Sequence, residues 1–423
     1  MNKTVEKTFD LLNPWRTSNR FLVPQNYITR TLEYDIKKHL DDEDMSIIYG
    51  SRQTGKTTLI HKLIYDLYRA QVPKQDLFYL AADNPRLSTF LQDPGNLLEF
   101  VLERKKKTAY VFIDEAQYLT NPGIFLKTLY DYKLKDVHII ATGSSTLEIK
   151  SKVIEYLPGR KKVFALYPLS FQEARARDAR PPQEVWNDYI IFGGYPKVFL
   201  AQSEPQKKRE LKDIHESYVK KDISSYLAIE KPDKFNHLAS LLAYQISGLI
   251  NKDELTNTLG IHRATVEKYI SALEDTFIIS QIYPYFSNKR TEISKMPKTY
   301  FLDLGLRNAI LNNFNPAQNR GDVGKLAENF VFTQLLYNKT IDQDIHFWRT
   351  KSGAEVDFAV SEGLSFTLYE VKYGKTLRGR VPSGIRSFSK KYPKQAQTSV
   401  VVSATAAPTA SHENITHTAF WEL

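Results

Sequence analysis

Residues 46–70 read SIIYGSRQTGKTTLIHKLIYDLYRA: a short apolar run, a glycine-punctuated loop, then apolar residues at Leu59, Ile60, Leu63, Ile64 and Leu67. That spacing predicts a helix with one buried face, and the run before the loop predicts a strand. Between them, Gly50–Thr57 fits G-x-x-x-x-G-K-[ST]. Here successive backbone N–H groups, from Gly50, Ser51, Arg52, Gln53, Thr54, Gly55, Lys56, Thr57 and Thr58, must wrap a phosphate chain. Glycine stands where a Cβ would collide with it. Lys56 is placed to meet the β and γ phosphates and Thr57 to ligate Mg²⁺, with the positive end of the helix behind them. Chance alone yields such a match about once in a hundred chains of this length, and the strand–loop–helix setting lowers that further.

A second segment, Thr108–Gln117 (TAYVFIDEAQ), is a buried-type strand ending in two carboxylates. Asp114 at its C-terminal end can reach the hydrated magnesium, and Glu115 can polarise an attacking water; a helix N-cap is the plain alternative. Two further strand-like runs, Asp76–Ala81 and Val137–Thr142, alternate with helical stretches. This pattern predicts a parallel α/β sheet with its ligand at the C-terminal ends of the strands. Ser144 or Ser145 would then lie beside the γ phosphate as a sensor; N-cap serines before Leu147 are an equally physical reading.

The order GSRQTGKT, YVFIDEAQ, IIATGSS, LPGRKKVFALYPLSF and GGYP resembles the AAA+-like branch of P-loop ATPases in which a separate C-terminal domain follows the motor. Glu115 directly after Asp114 is typical of the subclass with an extra strand between the nucleotide-loop strand and the magnesium-aspartate strand. The resemblance also singles out Arg160 as an arginine finger or sensor arginine; a salt-bridged surface arginine is the alternative. An Arg160 acting in trans would require an oligomer. The adenine pocket falls near Tyr27–Leu32, where such cores often place it.

After GGYP, the charged stretch QKKRELKDIHESYVKKDISSYLAIEK looks like the helical lid that follows such motors. Lys252–Ile279 then predicts a helix, a turn at Gly260 and a second helix with Val266, Tyr269, Ile270 and Leu273 inside. This is a helix-turn-helix, and the segment after it can form the strands of a winged helix. His262, Arg263, Thr265 and Lys268 on the second helix, and Lys289 and Arg290 at the wing tip, are candidates for phosphate contacts. A packing module is the alternative.

The last third holds GKLAENFVFTQLL, HFWRTKSGAEVDFAV and SFTLYEVKYGKTLRGR. Side chains alternate on a strand, so Glu370 and Lys372 share a face, as do Glu355 and Asp357. Three carboxylates and a lysine are what metal-assisted phosphodiester cleavage requires. Asp357 and Glu370 would hold Mg²⁺, with Mn²⁺ as a substitute; Lys372 would activate or orient the water; Glu328 would complete the outer ligand set. An ion pair that merely joins Glu370 to Lys372 is the weaker reading. The arrangement resembles the PD-(D/E)xK nuclease superfamily, with EVDF and EVK as its second and third motifs. The whole chain from about Tyr27 is similar to a prokaryotic ATPase family of the AAA_14/DUF4143 type with a nuclease-like C-terminal domain. Residues 374–395 carry seven Lys or Arg and no acid, the footprint of a phosphate backbone or else a solvated surface.

The chain has 423 residues, 58 Lys+Arg against 48 Asp+Glu, a net charge of +10 and no Cys. A disulfide scaffold, a thiolate nucleophile and Cys-ligated metals are excluded. The positive excess suggests a polyanionic partner. No apolar run is long enough to cross a membrane, so a cytoplasmic protein without a membrane partner is expected. The expected fold is α/β: a parallel P-loop AAA+ core over 1–200, a helical lid and winged helix over 201–310, and a restriction-endonuclease-like domain over 311–423. The expected function is ATP hydrolysis with Mg²⁺, coupled to processing of duplex or branched DNA without sequence specificity, in a homo-oligomer such as a hexameric ring. Two alternatives stand beside it: a translocase or branched-DNA remodeller whose nuclease fold does not cut, and a signalling ATPase acting on a protein partner.

Overall fold

The fold is taken from a computed structural model that describes residues 3–40, 42–133, 136–143, 157–217, 229, 231–286, 295–374, 381–404 and 415–423. Two compact units divide the chain: Met1–Tyr167 with Asp275–Phe277, and Pro168–Glu274 with Ile278–Leu423.

In the first unit, five parallel strands, β1 (Met45–Tyr49), β2 (Leu77–Ala81), β3 (Ala109–Asp114), β4 (Val137–Gly143) and β5 (Lys161–Ala165), form a sheet in the order β2-β3-β4-β1-β5. Their near-continuous apolar runs suit a sheet covered on both faces. Successive residues go to opposite layers: Ile47, Phe78, Val111 and Ile139 pack in one core, Ile48, Tyr79, Phe112 and Ile140 in the other. The helix Lys56–Arg69 buries Leu59, Ile60, Leu63 and Ile64, the face its periodicity predicts. Strand β4 stands between β1 and β3, the added strand that the resemblance implies. At the β2 edge, the Asn13 side-chain amide donates to the Tyr79 carbonyl and accepts from its N–H, both at 2.8 Å, and so closes an otherwise open strand.

The second unit begins with helices, among them Phe171–Arg177, held by a Ser170–Glu173 capping box, and Pro182–Phe192. Residues 168–200 pack here: Leu169 N–H bonds the Gly194 carbonyl, and Phe171 N–H bonds the Gln334 side chain. The helices Lys252–Leu259 and Arg263–Asp275 flank a left-handed Gly260, and the hairpin β6 (Ile279–Ile282) and β7 (Lys298–Phe301) follows. Asp303 caps the helix Leu304–Ile310. Next come the helix Val323–Tyr337 and a second sheet ordered β12-β11-β10-β9-β8. Its strands β8 (Gln343–Arg349), β9 (Glu355–Glu362) and β10 (Ser365–Lys372) run antiparallel, while β11 (Ala396–Ser403) and β12 (Ile415–Ala419) run parallel to β10. The helix Ser383–Lys391 connects β10 to β11 and buries Ile385 and Phe388 against Trp348, Val356 and Leu368. No helix among the described residues is long and apolar enough to cross a membrane.

Candidate functional site

The nucleotide loop leaves β1 at its C-terminal end. Gln53 and Gly55 take left-handed backbone angles, φ 65° and 95°, and a Cβ on Gly50 would lie on the Leu166 carbonyl. The turn therefore needs glycine at Gly50 for space and at Gly55 for conformation. Lys56 is buried, and its ammonium donates to the Gly50 and Ser51 carbonyls at 3.0 and 2.9 Å. Burial pushes it down to about 8 against the pull of Glu115 and Asp114.

Thr57 donates its hydroxyl to Asp114 Oδ2 at 2.7 Å. A hydroxyl from the loop and a carboxylate from the end of β3 are thus already opposed, and this pair fits a Mg²⁺ carried in by a nucleotide. Asp114 also accepts from Tyr79 OH at 2.9 Å and from the Thr142 hydroxyl. Glu115 has φ 53°; its N–H bonds Thr142 Oγ1 at 3.1 Å, and its carboxylate accepts from Gln117. Asp83, just past β2, is raised by burial and by the charges of Asp114 and Glu115. Tyr79 and Asp83 carry no motif, and IIATGSS does not by itself mark Thr142 as a partner of Asp114; the strand order brings all three beside it.

Arg30 is 7% exposed and joins the loop to the end of β5, donating to the Thr54 carbonyl at 3.0 Å and the Tyr167 carbonyl at 2.7 Å. Nearby, Tyr27 donates to Glu33 at 2.5 Å. Ser144 and Ser145 lie outside the described residues. Arg160 sits at the N-terminal end of the sheet, where its carbonyl accepts from Met45 N–H, about 13 Å of strand from the loop at ~3.3 Å per residue. Its guanidinium pairs with Asp131 at 2.6 Å and covers the Tyr130 ring. That separation keeps it from the loop of its own chain, and the pair with Asp131 is the salt bridge that was the alternative reading of this arginine.

The second constellation lies in the second unit. Lys298 on β7, 4% exposed, places its ammonium between Glu328 Oε1 at 2.9 Å and Glu355 Oε1 at 2.6 Å. Tyr300 donates to the same Glu328 oxygen at 2.8 Å. Glu328, expected among the metal ligands, is thus engaged by a lysine and a phenol: β7 brings these two donors to the helix face on which Glu328 sits. Lys372 pairs with Glu370 Oε1 at 2.6 Å, so the ion pair between these two residues does form. Asp357 Oδ2 accepts from Val371 N–H at 2.8 Å.

Burial, with the charges of Glu328 and Glu370, holds Asp357 well above the usual carboxylate range. Burial raises Glu370 as well, against the pull of Lys372. Glu370 is 6% exposed, and its Oε2 has no hydrogen-bond partner among the described residues. Among those residues no three His, Cys, Asp or Glu side chains form a metal-ligand group. Asp357 and the free oxygen of Glu370 nevertheless suit a cation that completes its shell with water. Lys298 and Tyr300 were not foreseen from the sequence.

In the helix-turn-helix, His262 and Lys268 are exposed, while Arg263 pairs with Asp253 at 2.7 Å and Glu267 at 3.3 Å. Lys289 and Arg290 lie outside the described residues, as do Lys375, Arg378 and Arg380 of the basic segment. Arg386, Lys390, Lys391 and Lys394 of that segment are exposed.

A glycine loop between β1 and a helix, a strand-end carboxylate facing its threonine, and a strand inserted between β1 and β3 define a P-loop nucleotide-binding protein with a second, separate sheet domain. Residues 42–175 match the family described as AAA domain. Residues 183–317 and 323–422 match the domains of unknown function DUF8612 and DUF4143. An uncharacterized protein of Methanocaldococcus jannaschii is 26% identical over 348 residues, 78% of this chain and 75% of its own length. One of Mycobacterium tuberculosis is 25% identical over 355 residues, 83% and 75%. Among solved structures, the Walker-type ATPase PABY2304 of Pyrococcus abyssi aligns at TM-score 0.48 and 14% identity, over 70% of this chain and 99% of that one. The Aeropyrum pernix ORC1 protein in complex with DNA aligns at TM-score 0.29 and 13% identity, over 70% and 96%. Residues 42–175 thus carry an AAA-type P-loop domain, and residues 323–422 a DUF4143 domain.

Proposed function

We propose that the chain hydrolyses ATP at Gly50–Thr57 and couples that cycle to the handling of DNA by its middle and C-terminal parts. The observation that carries this is the 2.7 Å contact of Thr57 with Asp114, with Glu115 next in the chain. In the cycle, the loop N–H groups and Lys56 bind the phosphates, Thr57 and Asp114 hold the Mg²⁺, and Glu115 takes the proton of the attacking water. The Mg²⁺ supplies neutralisation of charge on the phosphates. Arg160 would serve the site of a second copy in an oligomer.

At the C-terminal site, Asp357 and Glu370 would hold Mg²⁺ or Mn²⁺, which supplies Lewis-acid activation of a phosphodiester. Lys372 would steady the charge that develops there. The exposed basic residues after β10 supply sequence-independent attraction for the backbone. The ion-paired Arg263 favours a second reading, in which the helix-turn-helix is a packing module and the partner of the ATPase cycle is a protein.

The test is phosphate release by the wild type and by Glu115→Gln, together with incubation on plasmid, linear and branched DNA in Mg²⁺ or Mn²⁺. Glu115→Gln should bind ATP and fail to hydrolyse it, and cutting should vanish in Asp357→Ala and Lys372→Ala. Intact DNA across all substrates would leave the remodelling ATPase. Full hydrolysis by Glu115→Gln would reject the assigned chemistry.

A further inference from the structure

The carboxylates of the C-terminal site outnumber what one ion requires, and a lysine from outside that domain's sheet divides them. Glu328, Glu355, Asp357 and Glu370 are the four carboxylates; Lys298 pairs with the first two, Lys372 pairs with Glu370, and the exposed Arg349 lies 3.6 Å from the outer oxygen of Glu355. Lys298 is 4% exposed and sits within 3 Å of both Glu328 and Glu355. An ammonium fixed there leaves no room for a second cation on those two groups, since buried like charges repel strongly. Asp357 and the unpartnered Oε2 of Glu370 remain. One or two carboxylates with water are what Mg²⁺ commonly takes.

We propose that this site holds a single divalent cation on Asp357 and Glu370, because Lys298 stands as a fixed second cation between Glu328 and Glu355. The proposal rests on the reading of the C-terminal site as a cation site. It makes Lys298 a positioning residue contributed by β7 of the middle segment, outside the 323–422 match. The plain alternative is an ion pair that ties β7 to its neighbours and has no bearing on metal.

The test is to count Mn²⁺ bound by the nucleotide-free chain, by electron paramagnetic resonance of the free ion, in an Asp114→Ala background that removes the carboxylate facing Thr57. One Mn²⁺ per chain is expected, and none in Asp357→Asn. Lys298→Gln, one atom shorter and still a hydrogen-bond donor but without the charge, should bind two, and Lys298→Arg one. Two ions in the Lys298 protein, or one in a folded Lys298→Gln, would overturn the proposal and leave the cation site standing. No Mn²⁺ in either would reject the cation site itself. The count on the unsubstituted Lys298 decides even where Lys298→Gln fails to fold.

Discussion

Lys56 is charged in solution at neutral pH, but here burial lowers it to about 8. A bound phosphate chain favours the ammonium and raises that value. The free protein therefore loses the proton as pH climbs through about 8 while the complex keeps it. ADP affinity should be flat below that pH and fall by roughly tenfold per unit above it. Calorimetry in two buffers of different ionisation enthalpy should show proton uptake on the alkaline side; constant affinity with no uptake would contradict this account of Lys56. Lys56→Ala should lower phosphate release by ~10²-fold or more. Residues inside a motif were legible: Gly50, Lys56, Thr57 and Asp114 meet as their spacing implies. Their supports were not. Thr142 reaches Asp114 only because β4 lies beside β3, and Lys298 reaches Glu328 across 30 residues with no pattern to mark it.

At the scale of elements, packing reverses an ordinary propensity. Gly to Ala in a helix usually gains about 1 kcal/mol. Gly384, in the first turn of Ser383–Lys391, has no space for a Cβ, which would fall on the Glu355 carbonyl of β9. Gly384→Ala should destabilise the protein by about 1–3 kcal/mol, seen as a lower urea midpoint; an unchanged or higher midpoint would refute that contact. Asn13→Ala should cost about 2–4 kcal/mol, because it strips both backbone groups of Tyr79 of their partner in a buried place. Periodicity foretold the helix Lys56–Arg69 and the runs that became β1 to β4. It could not show how the β2 edge is closed, since Asn13 and Tyr79 are 66 residues apart. Nor could alternation along β9 and β10 say which partner each carboxylate would find.

For the whole molecule, the charge excess of +10 is the one global feature that asks for a polyanion. If DNA is that partner, affinity should fall steeply with salt, in proportion to the phosphates neutralised. Replacing Arg386, Lys390 and Lys391 together by Gln should weaken binding evenly across sequences and flatten the salt slope by up to ~3, without altering ATP hydrolysis in the absence of DNA. Coupling between the nucleotide cycle and DNA is the central claim, and the rate of ATP hydrolysis with and without duplex or branched DNA tests it most directly. The account predicts a rate that rises several-fold with DNA, loses that rise between about 50 and 200 mM salt, and disappears in Lys56→Ala. Hydrolysis that proceeds at one rate whatever nucleic acid is added would contradict it.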